Sequence, residues 1–273
     1  MKAASFDYVR PAGIEDVLSA LAKASGSAKL LAGGQSLGPM LNLRLARPGI
    51  LIDVSRLQAL QRLEDRGSFW RIGAGVTHAC LEDRKLAGAE MLSVVAAGIA
   101  YRSVRNRGTI GGSVAHADPA ADWPTALAAI GATANVRSSS GTRSLPVERL
   151  IHGAFATDLR DDEIIETIDV PKLSASGRFG YYKYCRKTGE FAQASAATVF
   201  DPERGVARVF LGALCPSPQP LAALAERVAR EGAATAAAVT AAVTQALNLN
   251  LDPIERRMAS TAVLRALHQA VKP

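Results

Sequence analysis

The sequence predicts an α+β protein with a small α+β domain at its C-terminal end. Three observations predict it. The N-terminal stretch alternates strand, helix and strand signals. The middle of the chain reads as antiparallel strands punctuated by turn residues. The last third sets three strands before an Ala-rich helical tail. A chain of 273 residues is ample for a buried core and fits one elaborated domain or two linked ones.

Residues 6–9 read as a short strand, stopped by Pro11. Ile14, Val17, Leu18 and Leu21 recur at helical spacing, with Glu15 and Asp16 in the first turn, where the helix dipole favours carboxylates, and Gly26 as the stop. Lys29-Leu-Leu31 is a short buried strand that runs into Gly33-Gly34, an opening that sets a ligand loop at a strand's C-terminal end. A loop or short helix follows Gly38-Pro39, and residues 50–54 form another buried strand. From Leu57 to Gly75 the pattern turns antiparallel, most clearly at Phe69-Trp-Arg-Ile72. Thr77 is placed to cap a helix through Leu86, and residues 92–99 form a second one.

A further helix is expected to start at Asp118-Pro119, an N-cap followed by proline at the first helical position, with Pro124 threatening a kink. Residues 132–136 and 142–145 pair as a hairpin around Ser139-Ser140-Gly141, and residues 164–170 alternate as a strand should. Residues 171–178, rich in Pro, Ser and Gly, are the linker candidate. Strands at 179–184, 192–200 and 206–214 follow, then Ala-rich helices at 221–229 and 233–247. Asp252-Pro253 with Glu255 combines an N-cap, a first-turn proline and a capping glutamate, and opens a last helix to about Val271.

Composition narrows the function. With 48% apolar and 21% charged residues the chain is a globular, water-facing protein. The 32 basic and 25 acidic side chains leave a net charge of +7, but they are scattered and aromatics are few. That argues for a solvated basic surface, or one facing an acidic partner subunit, rather than a nucleic-acid binder. Cys80, Cys185 and Cys215 are far apart, so no iron–sulfur or zinc site assembles locally. An odd cysteine count without a secretory signal fits a reducing cytoplasm, and no apolar run approaches membrane-spanning length. His78, His116, His152 and His268 make no metal-ligand spacing, and no nucleophile elbow or Walker loop occurs.

The chemistry centres on Arg105 to Pro124. Gly111-Gly112 lies there between Thr109 and Ser113, and Asp118 and Asp122 follow. Together with Gly33-Gly34, this glycine pair can present rows of backbone N–H groups to phosphate oxygens, and Gln35, Ser36, Thr109 and Ser113 add hydrogen-bonding side chains. Either loop alone is equally a plain glycine turn, and neither has Rossmann spacing. Asp118 and Asp122 would repel a diphosphate, so they would face the ribose, ribityl or ring end of a dinucleotide. On physical grounds Asp118 reads as a helix cap, whereas Asp122 has no structural reason to be there. The two loops would hold one large phosphate-bearing ligand, and that ligand would carry the chemistry.

Four stretches in this order resemble the FAD-binding medium subunit of the molybdenum hydroxylases, the family of carbon monoxide dehydrogenases, xanthine dehydrogenases and dehydrogenases of nitrogen heterocycles. They are Ala32-Gly-Gly-Gln-Ser36 with Arg44-Leu-Ala-Arg-Pro48; Arg105-Asn-Arg-Gly-Thr-Ile-Gly-Gly-Ser113 with Ala117-Asp-Pro-Ala-Ala-Asp122; Tyr182-Lys183; and Thr188-Gly-Glu-Phe191. The resemblance implies the two-subdomain FAD fold of p-cresol methylhydroxylase and vanillyl-alcohol oxidase over residues 1–173, with subdomains of about 1–56 and 57–173. It also implies a C-terminal domain over 178–273, a three-stranded antiparallel sheet with a helical bundle.

It implies cofactor contacts from Lys29, Leu30, Leu31, Ala32, Gly33, Gly34, Gln35 and Ser36, and from Thr109, Ile110, Gly111, Gly112 and Ser113, around the FAD pyrophosphate. Asp118, Asp122 and Lys183 join them, with Ile164 beside the cofactor and Phe191 near the flavin ring. No histidine is placed for covalent attachment, so the FAD is expected to be non-covalent. The molybdenum cofactor and two [2Fe–2S] clusters are expected on a large and a small partner subunit, in a dimer of heterotrimers. The extra cluster loop of hydroxybenzoyl-CoA reductases is not matched, because this chain has too few cysteines.

The leading reading is an electron-transferring FAD subunit. It takes electrons from a cluster on its partner and passes them to an external acceptor, and the absent molybdenum subunit chooses the substrate. The alternatives are a self-contained FAD oxidoreductase of the same fold, for which no substrate base is found, and a non-enzymatic nucleotide-binding module. Gly111→Val is expected to abolish FAD binding by placing a side chain where the diphosphate would lie.

Overall fold

A computed structural model describes residues 2–247 and 251–271. It opens with β1 (Asp7–Val9), α1 (Ile14–Ala24), β2 (Ala28–Leu31), α2 (Leu37–Asn42) and β3 (Ile50–Asp53). The three strands form a parallel sheet in the order β1-β3-β2. Parallel strands need a crossover, which α1 supplies; its stripe of Val17, Leu18 and Leu21 buries against Ile52 and Val54. The left-handed cap of α1 falls on Ser25 (φ 46°), one residue before Gly26. Helix α2 already contains Gly38-Pro39. Pro39 sits in its first turn, where a missing N–H leaves no helical bond unmade.

The middle of the chain contains β4 (Leu63–Asp65), β5 (Phe69–Gly73), α3 (His78–Asp83), α4 (Met91–Ala97), α5 (Arg102–Arg105), α6 (Ile110–His116) and α7 (Asp122–Ile130). It continues with β6 (Thr133–Ser138), β7 (Gly141–Pro146), α8 (Val147–Leu150), β8 (Ile151–Gly153), β9 (Ala156–Thr157) and β10 (Ile164–Pro171). An antiparallel sheet runs β4-β5-β10-β6-β7. Ile168 lies opposite Ile72 on one side and Ala134 on the other, and all three are buried, so the register sets one face of the sheet into the core.

Two elements correct the sequence reading. First, α6 stands where a loop was expected. Glycine costs about 1 kcal/mol relative to alanine inside a helix, and two of them hide this one. Thr109 caps it by accepting from the Gly112 N–H at 3.1 Å, and buried Ile110 and Val114 anchor it. Second, α7 begins at Asp122 rather than Asp118. Asp118 instead accepts from the Ala120 N–H at 2.9 Å, closing a turn ahead of the helix, and Ala121 is the N-cap residue. Pro124 therefore falls in the first turn and breaks no helical bond. Every residue of α7 is buried.

The chain ends with β11 (Arg178–Tyr184), β12 (Ala194–Asp201), β13 (Val206–Gly212), β14 (Gln219–Pro220), α9 (Ala222–Glu231), α10 (Ala236–Leu247) and α11 (Pro253–Ala270). The sheet is antiparallel in the order β11-β12-β13-β14, one strand more than the three expected. The fourth, two residues at a sheet edge, is too short to show alternation in sequence. Strand β12 is buried along its whole length. Ala197 and Val199 join the core around α7, while Ala194 and Ala196 join the core around the C-terminal helices. Residues 172–177 are pinned rather than free, because buried Asp201 accepts from the Ser174 N–H at 2.7 Å and its hydroxyl at 2.6 Å. Asp252 and Glu255 close a capping box on α11.

Candidate functional site

The two glycine pairs meet. Gly33, just past the end of β2, lies against the backbone leading into α6. A Cβ there would overlap the Arg107 carbonyl and sit 2.8 Å from the Gly108 Cα. Ala32 faces Gly112, whose added Cβ would lie 3.9 Å from the alanine methyl. Close backbone approach, not turn geometry, is what requires glycine at 33; Gly34 (φ 73°) makes the turn. Among the described residues, the amides of Gly33, Gly34, Gln35 and Ser36 donate no hydrogen bond, and Gln35 and Ser36 are exposed. Backbone N–H groups without a protein acceptor, just ahead of a helix, are donors of the kind that an anion can take.

The second pair works differently from the expectation. The N–H groups of Ile110 and Gly111 donate to the carbonyls of Val76 (3.0 Å) and Ala74 (2.9 Å), and those of Gly112 and Ser113 donate to Thr109 (3.1 and 3.0 Å). All four are engaged inside the fold. What this stretch can offer a ligand is the Cβ-free, exposed surface of Gly112 and the hydroxyls of Thr109 and Ser113. A Cβ on Gly111 would lie 2.7 Å from the Ala74 carbonyl oxygen, so Gly111→Val acts by striking β5's end, not by filling a ligand's place.

Asp122, the first residue of α7, does have a structural reason. Its Oδ1 accepts the Tyr181 hydroxyl at 2.6 Å and lies 2.9 Å from Lys183 Nζ, which also reaches Oδ2 at 3.2 Å. The same ammonium donates to the Gly98 carbonyl at 2.8 Å, at the end of α4. Burial pushes the Asp122 carboxyl above its ordinary value, opposed by the Lys183 charge and the Tyr181 hydrogen bond. Burial, reinforced by Asp122, likewise raises the Tyr181 hydroxyl. Tyr181 was missed in the sequence although a signal existed. On a strand, residues two apart share a face, so Tyr181 accompanies Lys183. Tyr182, the motif residue, turns the other way and accepts from Arg265 at 2.6 Å.

The remaining candidates are spread. Lys29 is exposed on β2, beside half-buried Leu30 and Leu31. Ile164 is buried and packs with the Val17, Leu18 and Ile52 cluster. Phe191 is 63% exposed. Its turn is held in place because Gly189 abuts the Ala100 carbonyl and the Ala192 N–H donates to the Ala120 carbonyl at 3.3 Å. Separate contacts join Gly33 to Gly108, Ala100 to Gly189, Gly98 to Lys183, and Lys183 to Asp122.

Beneath this junction, His78 Nδ1 accepts from the Trp123 indole N–H at 3.0 Å. Burial, with Arg105 nearby, lowers its pKa from 6.5 to about 4, so it is neutral in the fold. The unfolded chain takes up a proton near 6.5 and the folded one only near 4. The contribution of His78 to stability is therefore full above pH 6.5 and is lost as the pH drops to about 4. The loss is about 3 kcal/mol at ~1.4 kcal/mol per pH unit. Urea unfolding across this range is expected to show that slope, and His78→Gln to remove it.

Two surface cavities of about 350 and 320 Å³ lie away from this region, one between α10 and α11 and one beside Arg208. Among the described residues no helix is long and apolar enough to cross a membrane.

The family described as FAD binding domain in molybdopterin dehydrogenase matches residues 4–173. The nicotine 6-hydroxylase medium subunit of Paenarthrobacter nicotinovorans is 38% identical over 201 residues, spanning 73% of this chain and 70% of the relative. The carbon monoxide dehydrogenase medium chain of Hydrogenophaga pseudoflava is 36% identical over 196 residues, 71% of this chain and 68% of the relative. A solved chain of carbon monoxide dehydrogenase from the same organism, in a form lacking the Mo-pyranopterin moiety of the molybdenum cofactor, is similar with a TM-score of 0.89 at 32% identity. That likeness covers 99% of this chain and 98% of the other, and so extends through the C-terminal sheet and helices.

Proposed function

The chain belongs to the family of FAD-binding domains in molybdopterin dehydrogenases, and we propose that it is the medium subunit that relays electrons from [2Fe–2S] clusters of a partner through non-covalently held FAD to an external acceptor. The observation that carries this is the row of four unpaired amides at residues 33–36, next to Ala32, which faces Cβ-free Gly112. Such a cradle fits a diphosphate. The hydroxyls of Thr109 and Ser113 would bind beside it. The Lys183 ammonium and Asp122 carboxylate would orient the flavin-bearing end, with Phe191 at its rim. Bound FAD would supply the redox chemistry, exchanging electrons singly with a cluster and singly or in pairs with the acceptor.

In this reading residues 1–173 form the FAD domain, with subdomains of about 1–56 and 57–173 in the p-cresol methylhydroxylase arrangement, and 178–273 form the C-terminal domain. A small iron–sulfur subunit and a large molybdenum subunit complete a heterotrimer that pairs into a dimer in the cytoplasm. The large subunit chooses the substrate. Co-expression of the three chains tests this. The complex is expected to carry one acid-releasable FAD per medium chain, with flavin bleaching once substrate is added anaerobically. A complex that assembles and reduces its clusters while this chain carries no flavin would overturn the proposal.

A further inference from the structure

His78, the first residue of α3, is a buried polar side chain to which the proposed function gives no part. A Cβ on Gly108 would lie 2.7 Å from His78 Nε2 and 2.8 Å from its Cδ2, so the imidazole packs directly on the Gly108 backbone. The next atom that this Cβ would meet is the Val104 carbonyl oxygen at 3.3 Å, not Gly33. Gly33 therefore reaches the same backbone from another direction, its own Cβ position lying 2.8 Å from the Gly108 Cα. The ring is fixed from behind. Its Nδ1 accepts at 3.0 Å from Trp123, which is fully buried and follows Asp122 on α7. The His78 main-chain N–H donates to the Gly108 carbonyl at 2.9 Å.

We infer that His78 is a positioning residue of the proposed cofactor site: its ring props the backbone of residues 107–108 and so sets where the amides of residues 33–36 stand relative to Asp122 on α7. It acts through Gly108 and Gly33. This rests on the FAD reading above. Taking the ring away leaves a space that the backbone can enter, because a site emptied of a buried side chain collapses in part. A methyl pressed on that backbone from the Gly33 side then does less harm.

The test measures FAD affinity and urea unfolding of the full chain for wild type, Gly33→Ala, His78→Ala and the double variant. Groups that press on one another give non-additive effects, so the loss of about a hundredfold on Gly33→Ala is expected to shrink to about tenfold or less in the His78→Ala background. The fall in urea midpoint caused by Gly33→Ala should shrink with it. A merely structural histidine would lower the midpoint in both backgrounds and leave the affinity loss equal. That result would overturn the inference, with the bonds from the amides of residues 107 and 108 to the Val104 carbonyl then holding the backbone. If His78→Ala does not fold, Gly108→Ala replaces it, since residue 108 needs no left-handed backbone. Its methyl, stopped by the fixed ring, is expected to push residue 108 towards Gly33 and weaken FAD binding about tenfold. Unchanged affinity in folded Gly108→Ala would overturn the inference. If the wild-type chain and its complex bind no FAD, the FAD reading fails, while the urea midpoints still test the prop: additive shifts overturn it and non-additive ones support it.

Discussion

Asp122→Ala is expected to lower the free energy of unfolding by about 3–5 kcal/mol, the cost of leaving one member of a buried ion pair alone. The two side chains are 6% and 8% exposed, so water cannot replace the lost partner of Lys183. The Tyr181 hydroxyl would be left with no acceptor at the same time. Restoring neutrality by adding Lys183→Met to Asp122→Ala should recover much of the loss. Urea denaturation of the two variants checks this; equal stability of Asp122→Ala and wild type would mean the pair is solvated. The pair also joins α7 to β11, so protease digestion of Asp122→Ala should cut first in residues 172–177.

Gly33→Ala is expected to weaken FAD binding by about a hundredfold, or ~2.7 kcal/mol, and to cost about 1–3 kcal/mol of stability as overpacking does. The methyl would strike the backbone of Arg107 and Gly108, which no side-chain rotation can relieve. The loop of unpaired amides must then move away from the backbone at residues 107 and 108. Gly38→Ala is the control in the same region. It meets nothing within 4 Å and needs no left-handed backbone, so affinity and stability should stay at wild-type values. Isothermal titration with FAD separates the two.

Much of the fold was legible in the sequence where local signals and tertiary needs agree. The hairpin around residues 139–141, the capping box at Asp252 and the strand–helix–strand opening are such places. The misses are places where they disagree. Helix α6 carries two glycines and is held by bonds to Val76 and Ala74, which lie more than thirty residues upstream and leave no local trace. Asp118-Pro119 has the chemistry of a helix start, but the carboxylate serves a turn instead.

Close packing at the candidate site left its own signal in the sequence. Glycine pairs announce close approach, and the structure shows what approaches: Gly33 meets Gly108, while Gly111 meets Ala74. Which amides remain unpaired could not be read, because it depends on bonds between distant segments. Two-residue alternation on β11 puts Tyr181 on the face of Lys183, whereas Tyr182 of the motif lies on the opposite face.

Whether residues 33–36 and Gly112 hold FAD is decided by the visible spectrum of the purified chain, recorded before and after adding FAD and repeated on Gly33→Ala. A flavin spectrum that persists through gel filtration, is released by acid and is lost in Gly33→Ala is the predicted result. A wild-type chain that stays colourless alone and in complex with its partners, or a folded Gly33→Ala that retains flavin undiminished, would contradict it.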